Sequence, residues 1–134
     1  MNDGDLERRY RAYLAALNNR RLGELDAHVA DEVLYNGETL TRGGYRNMIA
    51  ADLAAIPDLV FDAHLIVATG DRVACRLVFD CTPRSRFLGF EPDGGRLTFA
   101  EHVFYRYDGG RIAEVASLID RAAIAEQLSG RSNR

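Results

Sequence analysis

Two apolar periods divide this chain. Up to Pro57, apolar residues recur every three to four positions; beyond it they alternate. Leu6, Tyr10, Tyr13, Leu14 and Leu17 predict a helix over Asp5–Asn19, with Arg8, Arg9 and Arg11 mostly outside and Asn18-Asn19 weakening its end. Leu22, Leu25 and Val29 predict a second, short helix over Arg21–Val29, and Ala30–Gly37 reads as a short strand ending in a turn. Thr41 precedes a helix over Arg42–Ile56 whose apolar side carries Tyr45, Met48, Ile49, Leu53 and Ile56. Pro57 ends it, because the residue before proline is pushed out of the helical region.

The second half reads as strands. Leu59–Thr69 and Arg72–Thr82 flank a turn at Thr69-Gly70-Asp71. Pro83–Gly95 carries Gly89, Pro92, Gly94 and Gly95, so it is a loop with turns. Arg96–Tyr107 and Arg111–Ile119 flank Asp108-Gly109-Gly110, a hairpin signal because glycine supplies the positive φ of a tight turn. A short helix to Leu128 and a frayed tail, Ser129–Arg134, close the chain. Helices first and a strand meander second predict one α+β domain over 1–134. In it the N-terminal helices pack on a strongly curved, mostly antiparallel sheet and enclose a cavity.

The hairpin holds the candidate chemistry. Alternation puts Leu97, Phe99, Glu101, Val103 and Tyr105 on one face, and Thr98, Ala100, His102 and Phe104 on the other. Ile112, Glu114, Ala116, Leu118 and Asp120 share a face of the second strand. A three-residue loop pairs Tyr107 with Arg111 and sets His102 opposite Ala116; a two-residue loop shifts this by one residue. His102 and Asp120 then share a face, about 13 Å apart in a flat sheet, so contact needs curvature, a bulge or a bridging substrate. Glu101 has the opposite parity and is expected to face a partner or solvent. Each candidate also has a plainer reading. Asp120 directly precedes the last helix and is a good N-cap. His102 suits a hydrogen-bonded interior position, and the tyrosines on the helices suit core packing. Arg76 either clamps an acidic substrate or pairs with Asp62 or Glu101.

Composition narrows the class. With 47% hydrophobic residues the chain can build a core, and a net charge of −3 without a basic block argues against nucleic acid. All seventeen basic residues are arginine, which removes Schiff-base lysine chemistry. No apolar run approaches the ~18 residues that span a bilayer, and the acidic N-terminus lacks a signal-peptide core. Cys75 and Cys81 lie on one strand roughly 20 Å apart, too far for a disulfide, and a reduced cytoplasmic setting fits. His28 and His64 are isolated, so no metal site is expected.

The order of elements resembles the cone-shaped nuclear transport factor two-like fold, and within it the SnoaL-like polyketide cyclases and their ester-cyclase relatives. Ile56-Pro57-Asp58 resembles the family's Phe-Pro-Asp after the third helix. Arg76, Thr82, Phe87, Gly89, Pro92 and Gly94 keep the spacing of its Arg…Gly-Thr-His-x-Gly-x-Phe-x-Gly-x-x-Pro-Thr-Gly stretch. His102–Ile112 resembles its hairpin, and Glu114, Asp120 and Glu126-Gln127-Leu128 its C-terminal signature. The chain departs at Pro83, where the family has histidine, at Ser85, where it has glycine, and at Ala116, where many members have tryptophan.

The resemblance implies a cofactor-free enzyme in which an acidic residue abstracts a proton beside a carbonyl and the enolate closes a ring by intramolecular aldol addition. Asp120 is then the expected base and His102 its partner at the substrate oxygen. Tyr13, Tyr45, Arg76, Phe104, Ala116 and Leu118 are expected to bind a small hydrophobic substrate. The alternatives are a ketosteroid-isomerase-like enzyme with a tyrosine and a protonated aspartate, an epoxide-hydrolase-like enzyme with an Asp-Arg-Asp cluster, or a non-enzymatic binding or dimerisation module. A homodimer packed sheet to sheet is expected through Leu97, Phe99, Val103 and Tyr105, with Val115 and Ile119 beside them.

Overall fold

A computed structural model describes residues 1–132. Its elements are α1 (Asp3–Asn18), a single 3-10 turn (Leu22–Glu24), α2 (Leu25–His28), β1 (Val29–Tyr35), β2 (Glu38–Thr41), α3 (Arg42–Ala55), β3 (Asp62–Thr69), β4 (Arg72–Cys81), β5 (Leu97–Asp108), β6 (Arg111–Ile119) and α4 (Arg121–Ser132). Six strands form one mixed sheet in the order β2-β1-β6-β5-β4-β3; β1 runs parallel to β6 and the other pairs are antiparallel. The α+β architecture is the expected one. Two elements differ from expectation. β2 is a four-residue edge strand too short to stand out by alternation. The tail expected from Ser129 is helical as far as Ser132, and its last two positions lie outside the described residues.

Local chemistry fixes the helices that build the interior. Asn2 and Asp5 form a capping box that satisfies free amides at the start of α1. Leu6, Tyr10, Tyr13, Leu14 and Leu17 then bury one stripe of α1 against the sheet. Asn18 ends α1 and pairs its amide with both backbone groups of Phe61. The Arg20 guanidinium donates to the carbonyls of Leu17, Pro57 and Leu59, tying the end of α1 to the chain that leaves α3. Thr41 caps α3 by accepting from the Gly44 amide at 3.0 Å.

The β5–β6 hairpin departs from the expected register. Its turn is Gly109-Gly110, with φ of 59° and 83°, and Asp108 pairs with Arg111. Both turn residues need positive φ, which only glycine adopts without strain. One extra residue, Ala113, then bulges between the Tyr107–Ile112 and Arg106–Glu114 pairs. A bulge shifts the alternation of one strand against the other. Beyond it, Val115, Ser117 and Ile119 turn inward while Ala116 and Leu118 turn outward. His102 consequently lies opposite Leu118, and Glu101 opposite Ile119.

The face expected to be outward is the core, because the helices pack on it. Leu97, Phe99, Val103, Tyr105 and Val115 are buried against the helices. The outer face carries two cross-strand rows, Leu65–Arg76–His102–Leu118 and Val67–Ala74–Phe104–Ala116. Leu65, Val67, Phe104 and Leu118 are 51–70% exposed on it. Cys75 and Cys81 are both free and buried, as expected. No helix of the described residues is long and apolar enough to cross a membrane.

Candidate functional site

An interior cleft opens between α3 and the inner face of the sheet. Its outer chamber, about 130 Å³, is walled by Ile56, Leu59, Phe61, Phe79, Phe87, Leu88, Phe99 and Ile119. Its inner chamber, about 60 Å³, is walled by Tyr13, Leu17, Tyr45, Ile49, Leu77, Val103, Tyr105 and Val115. Tyr35, Met48, Phe61, Asp52 and Glu101 border both, so the chambers are continuous. The walls are aromatic and aliphatic. The two carboxylates are the charged groups among them, and no arginine or histidine lines either chamber.

The elements place these carboxylates for simple reasons. Tyr45, Met48 and Asp52 follow the i, i+3, i+7 spacing of one helix face, so α3 carries Asp52 inward with its apolar neighbours. Burial alone raises the Asp52 pKa from 3.8 to about 6. Glu101 comes from the inner face of β5. Burial raises its pKa, the hydrogen bond from the Ser117 hydroxyl partly offsets this, and the nearby charge of Asp52 adds to the rise. Two carboxyl groups that each resist ionisation and repel one another suit proton exchange near neutral pH better than structural pairing does.

Asp52 has a consequence for stability. Its carboxyl titrates near 3.8 unfolded and near 6 folded, so the folded chain holds this proton more tightly. Stability contributed by the neutral form is complete below 3.8 and lost as pH rises through 6. Asp52→Asn is therefore expected to stabilise the fold at pH 8 by roughly 1–2 kcal/mol, a figure reduced for partial exposure, and to change little at pH 4. Urea unfolding at the two pH values checks this; equal effects at both would show that Asp52 is not penalised for its charge.

The expected site residues separate into two groups. Tyr13 and Tyr45 do border the inner chamber, buried and with hydroxyls 2.6 Å apart. His102, Arg76, Phe104, Ala116 and Leu118 share a face, but it is the outer one, away from the cleft, because the helices pack on the opposite face with Leu97, Phe99, Val103 and Tyr105. Arg76 donates to His102 Nε2 at 2.9 Å and pairs with neither Asp62 nor Glu101. Asp120 is exposed; its Oδ1 accepts from the Ala123 amide at 3.0 Å and caps α4, and its backbone amide bonds to Ala100. The placement expected for Asp120 and His102, on one face toward the cavity, is thus corrected, and Glu101 occupies the interior instead of facing a partner or solvent. Asp52 is not among the residues expected at the site, although an acidic residue on the apolar stripe of a helix is a readable signal.

The mouth of the cleft is closed in part by the β4–β5 loop. Phe87 and Phe90 form an isolated bridge at its tip, and Leu88 takes a positive φ of 50°. Arg121 of α4 donates to the Leu88 carbonyl at 2.6 Å and lies over the Phe90 ring. A larger depression, about 560 Å³, lies between α1 and α2 beside Arg8, Arg9 and His28. Its walls are mostly solvent-exposed residues, and no buried polar groups converge on it. Among the described residues no cluster could hold a metal ion.

Comparisons with known proteins agree with this architecture. The family model of SnoaL-like polyketide cyclases matches residues 7–128. The crystal structure of a SnoaL-like polyketide cyclase from Agrobacterium tumefaciens is 44% identical, with a TM-score of 0.88 over 92% of this chain and 97% of that one. TsrD from Streptomyces laurentii shares the fold at 20% identity, with a TM-score of 0.84 over 96% of this chain and 97% of that one. No curated protein matches. The chain belongs to the SnoaL-like polyketide cyclase family.

Proposed function

We propose that this protein catalyses cofactor-free carbonyl chemistry in the interior cleft, of the polyketide cyclase type. The observation that carries the reading is the convergence of Asp52 and Glu101, both with raised pKa, in an otherwise apolar, aromatic-walled space. In this reading Glu101 takes a proton from carbon beside a carbonyl, and the C–H electron pair moves into an enolate. The enolate carbon attacks a second carbonyl of the same molecule, closing the ring. The new alkoxide takes a proton from the Asp52 carboxyl, and the proton on Glu101 returns to Asp52 to reset the pair. The substrate is a small, uncharged, mostly aromatic carbonyl compound, since the cleft offers no cation to balance a carboxylate.

One observation favours a second reading. A tyrosine hydroxyl, Tyr45, borders the same chamber as a carboxyl whose pKa burial raises, Asp52. That set also suits an isomerase, which shares the first step and then reprotonates the enolate at another carbon. The hydrolase alternative needs an arginine between two carboxylates, and none borders the cleft.

Exchange of the α-protons of 2-tetralone for deuterium, followed by NMR, tests the shared first step. The wild-type protein is expected to accelerate exchange over buffer. Asp120→Asn keeps a good cap and is expected to fold and to exchange at the wild-type rate. Loss of exchange in this variant, with the fold intact, would return Asp120 to the mechanism. We further propose a homodimer through the outer sheet face, in keeping with the assembly the resemblance implies. Four large apolar side chains, Leu65, Val67, Phe104 and Leu118, stand exposed there across three strands, a pattern that marks interaction surfaces.

A further inference from the structure

The Tyr13–Tyr45 pair lies where the cyclase-type reading leaves a charge unattended. Two phenolic hydroxyls carry two protons between them. At 2.6 Å one hydroxyl donates to the other, and this uses a single proton. Neither hydroxyl has another hydrogen-bond partner among the described residues, so one O–H remains for whatever fills the chamber. Both side chains are almost wholly buried, at 2% and 3% exposure, so ordinary solvent does not account for that proton.

The two hydroxyls are not equivalent. Tyr45 shares its helix face with Asp52, and Glu101 and Tyr35 act on it electrostatically. Tyr13 comes from α1, and its ionisation is opposed by burial and then by its tyrosine neighbours Tyr45, Tyr10 and Tyr107. Either hydroxyl can donate to the other; with Tyr13 as the donor, the Tyr45 proton is the one left for the chamber that Asp52 and Glu101 also border. Burial raises the pKa of both, so both stay protonated and neither competes with Glu101 for the substrate proton. A donor of this kind, held before substrate arrives, stabilises oxygen charge that develops during enolisation.

We propose that Tyr45 donates the hydrogen bond to the enolate oxygen of the substrate, and that Tyr13 is a positioning residue that holds and polarises the Tyr45 hydroxyl. This inference rests on the reading of the cleft as a carbonyl site. When Glu101 removes the α-proton, the electron pair ends on the carbonyl oxygen, and Tyr45 O–H meets it without giving up its own proton. Tyr45 is then a catalytic residue in contact with substrate, while Tyr13 acts through it.

The probe is 2-tetralone labelled with 13C at the carbonyl. In the wild-type protein its bound carbonyl resonance is expected to move downfield of the free ketone, as it does on accepting a hydrogen bond. Tyr45→Phe keeps the ring and its packing. It is expected to bind the probe, to lose the downfield shift, and to slow α-proton exchange on the order of 100-fold, the cost of one oxyanion donor. Tyr13→Phe leaves Tyr45 in place and is expected to reduce the shift partly and the rate less, with probe affinity unchanged. If Tyr45→Phe does not fold, the partial shift in Tyr13→Phe decides. Binding with the same bound shift in the wild type and the folded variants overturns the tyrosine assignment alone. Absence of both binding and exchange in the wild type overturns the carbonyl site itself.

Discussion

Replacing Glu101 by Gln is expected to slow α-proton exchange of 2-tetralone by roughly 100- to 10,000-fold, the usual contribution of a general base. Gln keeps the size of the side chain and can still accept from the Ser117 hydroxyl, so packing around β5 is preserved. What it removes is the proton-accepting carboxylate. Structural damage and lost chemistry therefore separate: the variant unfolds no more easily than the wild type, since a buried charge is removed, and keeps its affinity for the ketone while the exchange rate falls. Ser117→Ala provides the contrast. Without the hydroxyl, nothing offsets the burial of Glu101, so the acid limb of the exchange profile is expected to move to higher pH. An E101Q protein that exchanges at the wild-type rate would take Glu101 out of the reaction.

Leu118→Arg is expected to turn the proposed dimer into a monomer without unfolding the chain. Leu118 is 70% exposed on the outer face, so the substitution disturbs little within one chain. In a two-fold interface each copy contributes the same residue, so one substitution acts twice. Burial of a leucine is worth about 1.5–3 kcal/mol when complete. Two partly buried copies then cost association about 2–4 kcal/mol, or ~30- to 1,000-fold in dissociation constant. The new guanidinium also lands beside Arg76 and His102 in the same row, which adds repulsion at no gain. Light scattering across micromolar concentrations reads the result: twice the chain mass for the wild type, one chain mass for the variant. A wild-type protein that is already monomeric would remove the proposed interface.

How much of this was readable in the sequence depended on period, not on composition. The helix-first, strand-second order, the helix that follows Thr41, the stop at Pro57 and a hairpin turn within Asp108-Gly109-Gly110 all rest on local chemistry, and the structure keeps each of them, with the turn shortened to Gly109-Gly110. The side-chain faces of β6 depended on one bulged residue, Ala113. Nothing in Arg111–Ile119 marks that position, since both alternation phases place apolar residues on a face. Which face of the hairpin the helices cover is a tertiary choice that alternation does not decide, since both faces of β5 carry apolar residues; the helices take the Leu97, Phe99, Val103 and Tyr105 face, which leaves His102, Phe104, Ala116 and Leu118 outside and Glu101 inside. Asp52 is a different case. Its i+7 spacing from Tyr45 was legible, but an isolated carboxylate on a helix ordinarily reads as a surface residue. Its value emerges only when β5 supplies the second carboxylate across the cleft.

The carbonyl compound is expected to occupy the cleft between α3 and the inner sheet face. The chain has two methionines, and they report on different places. Met48 borders both chambers, whereas Met1 lies at the surface depression beside α1. With 13C-methyl methionine, titration of 2-tetralone followed by NMR therefore reads occupancy of the cleft directly. The ring current of the bound ketone is expected to shift the Met48 methyl signal saturably and leave Met1 in place. A saturable shift of Met1 alone, or exchange of 2-tetralone with an unmoved Met48 signal, would contradict the assignment.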